Sequence, residues 1–135
     1  AEADLRSALA SAVRLQIDFV ANSARQALAM AMAYRGRLSE ARALQTEAWE
    51  WFVKRQDVRM AALSRLYLTF IVALEGDLEA AERGARATLE QLPERASLRP
   101  MAMASLARVL MARDCLDEAA VSRPGLHTDL AQADQ

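Results

Sequence analysis

Apolar and polar residues alternate along most of this chain with the period of an α-helix. Blocks of about 17 residues carry apolar side chains three and four apart, as in "VRMAALSRLYLTFIVAL", and short polar or glycine-bearing breaks separate them. The pattern predicts a helix over 3–16, then helices over 19–35, 38–54, 58–75, 78–92 and 98–113, with a shortened one from 116. Asp18 in "QIDFVAN", Asp57 in "RQDVRMA" and Ser97 in "RASLRPM" stand where N-caps are expected. Pro93 and Pro100 punctuate the stretch between the fifth and sixth helices. After Ser122 the text becomes "RPGLHTDLAQADQ", and its Arg-Pro-Gly predicts a helix break and an irregular tail over 124–135.

The blocks repeat. "YRGRLSEARAL" at 34–44, "LEGDLEAAERG" at 74–84 and "ARDCLDEAAVS" at 112–122 align without gaps. Gly36, Gly76 and Asp114 coincide, then Leu38, Leu78 and Leu116, then Ala41, Ala81 and Ala119. The spacings are 40 and 38 residues. Each unit reads as a helix, a tight turn and a second helix. Glycine takes a left-handed turn conformation at no steric cost, and Asp tolerates it. The Leu and the Ala three residues later share a face of the second helix, Leu filling the gap between helices and Ala allowing close approach. Units are expected over 18–56, 57–96 and 97–123, preceded by an orphan helix over 3–16, so that 1–123 forms one domain.

Composition agrees with an all-α reading. The chain has 135 residues and is 53% hydrophobic but only 5% aromatic, with Ala, Leu, Met, Arg and Glu in excess; these are the strongest helix formers. Net charge is −1 with no block of one sign, which argues against nucleic acid or an anionic membrane as partner. Lys54 is the only lysine. The most apolar run, "LYLTFIVAL", is far shorter than the roughly 20 residues that span a bilayer. Cys115 is the single cysteine, so no internal disulfide forms and a reducing, cytoplasmic setting is expected. The first residue is Ala rather than Met, which points to a segment of a larger or processed protein.

No catalytic constellation emerges. Glu75, Asp77, Glu79 and Glu82 crowd around "EGDLEAA", but the alternating oxygen ligands of a calcium loop are missing. These carboxylates read as solvated groups that complement a helix dipole. His127, the only histidine, falls in the expected tail. Cys115 reads as a small half-buried residue at a turn, and a pairing of the two lacks a third orienting group. Phosphate-binding glycine motifs and paired histidines are absent. The sequence therefore implies no enzyme, no metal and no cofactor. The aromatic stretch "WEWF" places Trp49 and Phe52 on one helix face and Trp51 roughly opposite, so burial of both tryptophans between helices and exposure of Trp51 as a partner anchor are both open.

The Gly-x-Leu-x-x-Ala pattern, the rows Leu28/Leu68/Leu106 and Ala29/Thr69/Ala107, and Pro93 closing a unit resemble tetratricopeptide repeats. The period near 40 is similar to the MalT-type arrays of bacterial LuxR-type regulators and multidomain serine/threonine kinases. Arg25, Arg65 and Met103 replace an aromatic usual early in the first helix, and Gln45 and Ala85 replace one in the second. The resemblance implies an α-solenoid, a right-handed superhelix of about three antiparallel helix pairs, whose first helices line a concave groove. By position that groove would hold Gln26, Met30, Tyr34, Leu66, Tyr67, Phe70, Met101, Arg108 and Met111. The implied role is a non-catalytic protein–protein interaction module of a signalling or transcription-regulatory protein, holding a peptide or helix. The competing role is a structural segment that forms homodimers or larger assemblies through uncapped repeat ends.

Overall fold

The computed structural model describes the backbone of residues 1–133 and the side chains of residues 1–121. These residues form six helices and no strand: α1 (Glu2–Arg14), α2 (Asp18–Tyr34), α3 (Leu38–Lys54), α4 (Val58–Leu74), α5 (Leu78–Gln91) and α6 (Arg99–Ala133). Each helix packs on the next, and α2 also touches α4 as α4 touches α6.

Four of the five connections are the same three-residue turn. Its middle residue has a positive φ: 56° at Gln16, 81° at Gly36, 57° at Gln56 and 93° at Gly76. In the third, the Gln56 N–H donates to the Val53 carbonyl at 3.0 Å and the Asp57 N–H to the Phe52 carbonyl at 3.1 Å. The same pair of bonds recurs at residues 16–17, 36–37 and 76–77. This is the Schellman motif, in which a left-handed residue turns two amides back onto the last helical carbonyls. The structural period is therefore 20 residues per helix, and the 40-residue spacing of the glycines marks every second turn. Asp57 and Asp77 then cap α4 and α5, accepting the Met60 and Ala80 N–H groups at 3.0 Å each. Asp18 is not a cap. It is the first residue of α2, with Ile17 at the N-cap position. Ser97 also lies outside the cap, two residues before α6 begins.

Small residues set the helix spacing. Ala29, Ala41, Ala48, Ala81, Ala85 and Ala102 are completely buried, so backbones approach closely. At Gly84 in α5 a Cβ would lie 2.7 Å from Thr69 Oγ1 on α4. Leu28, Met32 and Ile71 join Ala29, Ala33 and Ala41 in one core cluster, against which Leu38 packs. Ala62, Leu66, Leu92 and Ala102 form a second. Two buried amides behave differently. Gln26 Nε2 donates to Ser64 Oγ and, at 3.3 Å, to the Met60 carbonyl, tying α2 to α4. Gln45 on α3 is fully buried, and neither of its amide atoms has a hydrogen-bond partner among the described residues.

The third unit is the main departure from expectation. No turn forms at Asp114: α6 runs unbroken from Arg99 to Ala133. Leu116 and Ala119 consequently lie inside α6 and are exposed, and Cys115 is exposed too. Residues 124–133 are helical where an irregular tail was expected, residues 134–135 lie outside the described part, and so does the side chain of His127. The physical reason is local. Asp tolerates the left-handed conformation but does not impose it, and no Gly or Pro interrupts "ARDCLDEAA" to end the helix there. The link between α5 and α6 differs as well, because Leu92 at the α5 C-cap is extended and Pro93 follows. Arg99 closes that end by donating to the Leu89 and Leu92 carbonyls at 3.1 and 3.0 Å.

Two substitutions test these assignments. Gln56→Gly should raise stability by about 1 kcal/mol by removing the left-handed penalty, whereas Gly36→Gln should lower it by a similar amount. Urea denaturation of the pair reads both signs, and equal signs would refute the shared turn. Gln45→Leu, close in volume, should stabilise by about 1–3 kcal/mol because it removes an unpartnered buried amide. A loss of stability on the same denaturation curve would show that Gln45 has a partner after all.

Candidate functional site

Helices α2, α4 and α6 share one layer, and the sequence-derived groove residues distribute over it unevenly. Gln26 and Leu66 are buried and cannot line a groove: the first bonds to α4 and the second belongs to the core around Leu92. Met30 is half-buried against the first core cluster, and Tyr67 is half-buried as well. Tyr34 is 75% exposed at the end of α2, and its ring meets that of Phe70 on α4 at 5.7 Å. Phe70 and Arg108 line one cleft of about 190 Å³ between α4 and α6. Met111 is 66% exposed one turn beyond Arg108, and Met101 is exposed on the first turn of α6 but does not line the cleft. The structure therefore brings Tyr34, Phe70 and Arg108 together. Leu74, Leu78, Val109 and Ala112 complete the cleft wall and were not foreseen there. Leu74 was findable, since it is the counterpart of Tyr34 forty residues on.

Ion pairs hold this face in place, and they account for the acidic cluster. Glu82 on α5 accepts from Arg86 at 2.8 Å and from Arg113, which ties α6 to α5 beside the cleft. Its side chain is only 16% exposed. The Arg86 bond, then the Arg113 bond, hold its carboxyl below the ordinary Glu range. Glu75 pairs with Arg42 on α3 at 3.3 Å, Asp77 caps α5, and Glu79 pairs with Arg83. The cluster is thus structural, and two of its members bridge helices rather than face solvent alone.

A second ionic group fastens α1, whose only fully buried apolar residue is Ala12. The Glu2 carboxylate meets Arg6, Arg35 and Arg37 at 2.9, 3.0 and 3.0 Å. The Arg6 bond foremost, against the opposing effect of burial, holds its carboxyl below the ordinary range. Arg37 also grips Glu40 at 2.7 Å.

Both tryptophans are half-buried on α3, neither wholly packed nor free. Arg65 lies over Trp49 at 5.7 Å and Arg55 over Trp51 at 5.0 Å, while Phe52, edge-on to Trp51 at 5.1 Å, is fully buried. Among the described residues no three His, Cys, Asp or Glu side chains converge as a metal would require, and no helix is long and apolar enough to cross a membrane. No family model, no curated protein and no solved structure matches the chain.

The carboxylate shifts fix a pH dependence. Glu2 and Glu82 both have folded-state values below the unfolded one, so their stabilisation is complete above about pH 4.3 and is lost as pH falls below it. Glu82→Gln should flatten that acid limb in thermal melts taken from pH 6 down to pH 3. It should also speed amide exchange around Arg113 at neutral pH, and unchanged exchange there would separate Glu82 from the anchoring of α6.

Proposed function

We propose that the chain is a non-catalytic protein–protein interaction module that holds a peptide or helix on the α2/α4/α6 face. The observation that carries this reading is the continuous apolar strip from Tyr34 through Phe70 into the cleft edged by Leu74 and Val109, with one exposed cation, Arg108, at its rim. A strip of this kind suits an amphipathic helix with apolar residues three and four apart and a carboxylate placed for Arg108. Exposed Met111 offers an adaptable side chain beside it. In this reading the stacked helices form a right-handed solenoid with the strip on its concave side, as the resemblance to tetratricopeptide arrays implies. The parent is then a cytoplasmic signalling or transcription-regulatory protein of bacterial type, whose other domains carry any catalysis.

Selection from a random peptide library displayed on phage tests it. Enriched peptides should share apolar residues at helical spacing and an acidic residue, and Tyr34→Glu with Phe70→Glu should abolish their binding. Arg108→Glu should weaken it by about tenfold, the scale of one charge-assisted contact. Binding that survives all three substitutions would place the site elsewhere.

A further inference from the structure

Helix α1 is held to the stack from one side. Among the described helices it packs on α2 alone, whereas α2, α3, α4 and α5 each pack on at least two others. Leu5 and Leu9 are half-buried against the cluster that contains Leu28 and Met32, and Val13 stays 52% exposed. A cleft of about 480 Å³ opens under the C-terminal half of α1, with Leu9, Ala10 and Val13 on one side and Leu28 of α2 on the other. The turn that folds α1 back holds Gln16 at φ 56°, where glutamine carries a steric cost that glycine does not. Detached from α2, a helix of 13 residues is too short to persist in water.

The Glu2 carboxylate is what fastens this helix at its other end. It meets Arg35 and Arg37 of the α2–α3 turn at 3.0 Å each, while the third guanidinium, Arg6, comes from α1 itself. Arg35 has no second carboxylate within 4 Å among the described residues, and Arg37 has Glu40. The surface that α1 covers thus joins an apolar area around Leu28 to a pair of cations. Helix α1 answers it with a carboxylate at position 2 and leucines three and seven residues later, all on one helix face.

We propose that α1 is a displaceable cover, and that the surface beneath it binds an amphipathic helix of another protein with the same chemistry: a carboxylate in its first turn and leucine-sized residues three and seven positions on. The internal helix defines the occupant, because it shows which side chains that surface accepts and in which order. Local opening of α1 at the 15–17 turn admits the incoming helix, whose carboxylate then takes the place of Glu2 between Arg35 and Arg37. The apparent affinity is lowered by the fraction of chains that are closed, so the strength of the Glu2 latch sets the threshold for binding. Phe70 and Arg108 take no part, and this site and the α2/α4/α6 strip can each hold without the other.

A stapled, fluorescein-labelled peptide with the α1 sequence, "EADLRSALASAVR", titrated with the full chain and read by fluorescence anisotropy, tests the proposal. Glu2→Gln in the chain weakens the latch and should tighten peptide binding by about tenfold, the scale of one charge-assisted contact. Gln16→Gly relaxes the closed turn and should weaken binding by about fivefold. The wild-type chain should prefer this peptide to one with arginine in place of its glutamate, and Arg35→Glu should reverse that preference. At saturation, amide exchange should quicken across α1 and not across α4 or α5, and Phe70→Glu should leave the titration unchanged. A Glu2→Gln chain that shows no saturable binding overturns the proposal. So does a preference that Arg35→Glu fails to reverse, an α1 that stays protected when peptide is saturating, or binding lost with Phe70→Glu, which would put the peptide on the α2/α4/α6 strip instead.

Discussion

The fold depends on one backbone constraint, a single residue held at positive φ every twentieth position. At Gln16, Gly36, Gln56 and Gly76 that residue returns two amides to the end of the preceding helix, so the chain reverses within three residues and leaves few orphan groups. The turn needs no side chain, which frees the helix faces to be chosen for packing alone. Alanine fills that role, and fully buried Ala29, Ala41, Ala81 and Ala85 let consecutive helices sit close. Where the left-handed residue is missing, the pattern stops. The connection after α5 is longer and extended, and α6 runs past the position where a turn would stand.

How much of this was legible depended on which residue took the left-handed position. Gly36 and Gly76 announced their turns because glycine alone adopts that conformation without penalty. Gln16 and Gln56 give no such signal, for glutamine is an ordinary helix former; the breaks there show only in the apolar periodicity, and the glycines mark every second one. The bounds of α3 follow from its periodicity and the flanking turns. Asp114 misled in the opposite sense. Its alignment with two glycines is real as text, but an aspartate does not impose the left-handed conformation, and Leu116 and Ala119 stand exposed on a continuous helix.

The candidate face was half legible, for a geometric reason. Gln26, Met30 and Tyr34 step by four residues, and each step advances about 40° around the helix beyond a full turn. The row therefore begins buried at Gln26, is half-buried at Met30 and emerges fully only at Tyr34. Leu66 and Phe70 follow the same course on α4. A row chosen by spacing alone mixes core with surface, and burial separates them only once neighbouring helices are placed. Glu82 shows the same limit, since its partner Arg113 lies 31 residues away on a helix whose packing the sequence does not display.

Residue choice at the turns also divides the molecule electrostatically. The glycine turns read "RGR" and "EGD", and their charges are neutralised within the chain by Glu2, Glu40 and Arg42. That neutralisation is required there, because α1 buries little apolar surface and relies on Glu2 to bridge to the next turn. A carboxylate as enclosed as Glu2 is tolerable only with several guanidiniums around it, since removing it from water is otherwise unfavourable. The glutamine turns read "LQI" and "RQD", and the packing beside them is apolar: Phe52 and Ala48 fill that end of α3 at zero exposure, with Phe19 edge-on to Phe52 at 5.8 Å. Asp57 caps α4 at the second of these turns and Arg55 lies over Trp51, so the polar residues of that turn also serve the fold. One edge of the stack is held by ion pairs between turns and helices, and the other by apolar packing around Phe52 with a cap at Asp57 and a guanidinium over Trp51.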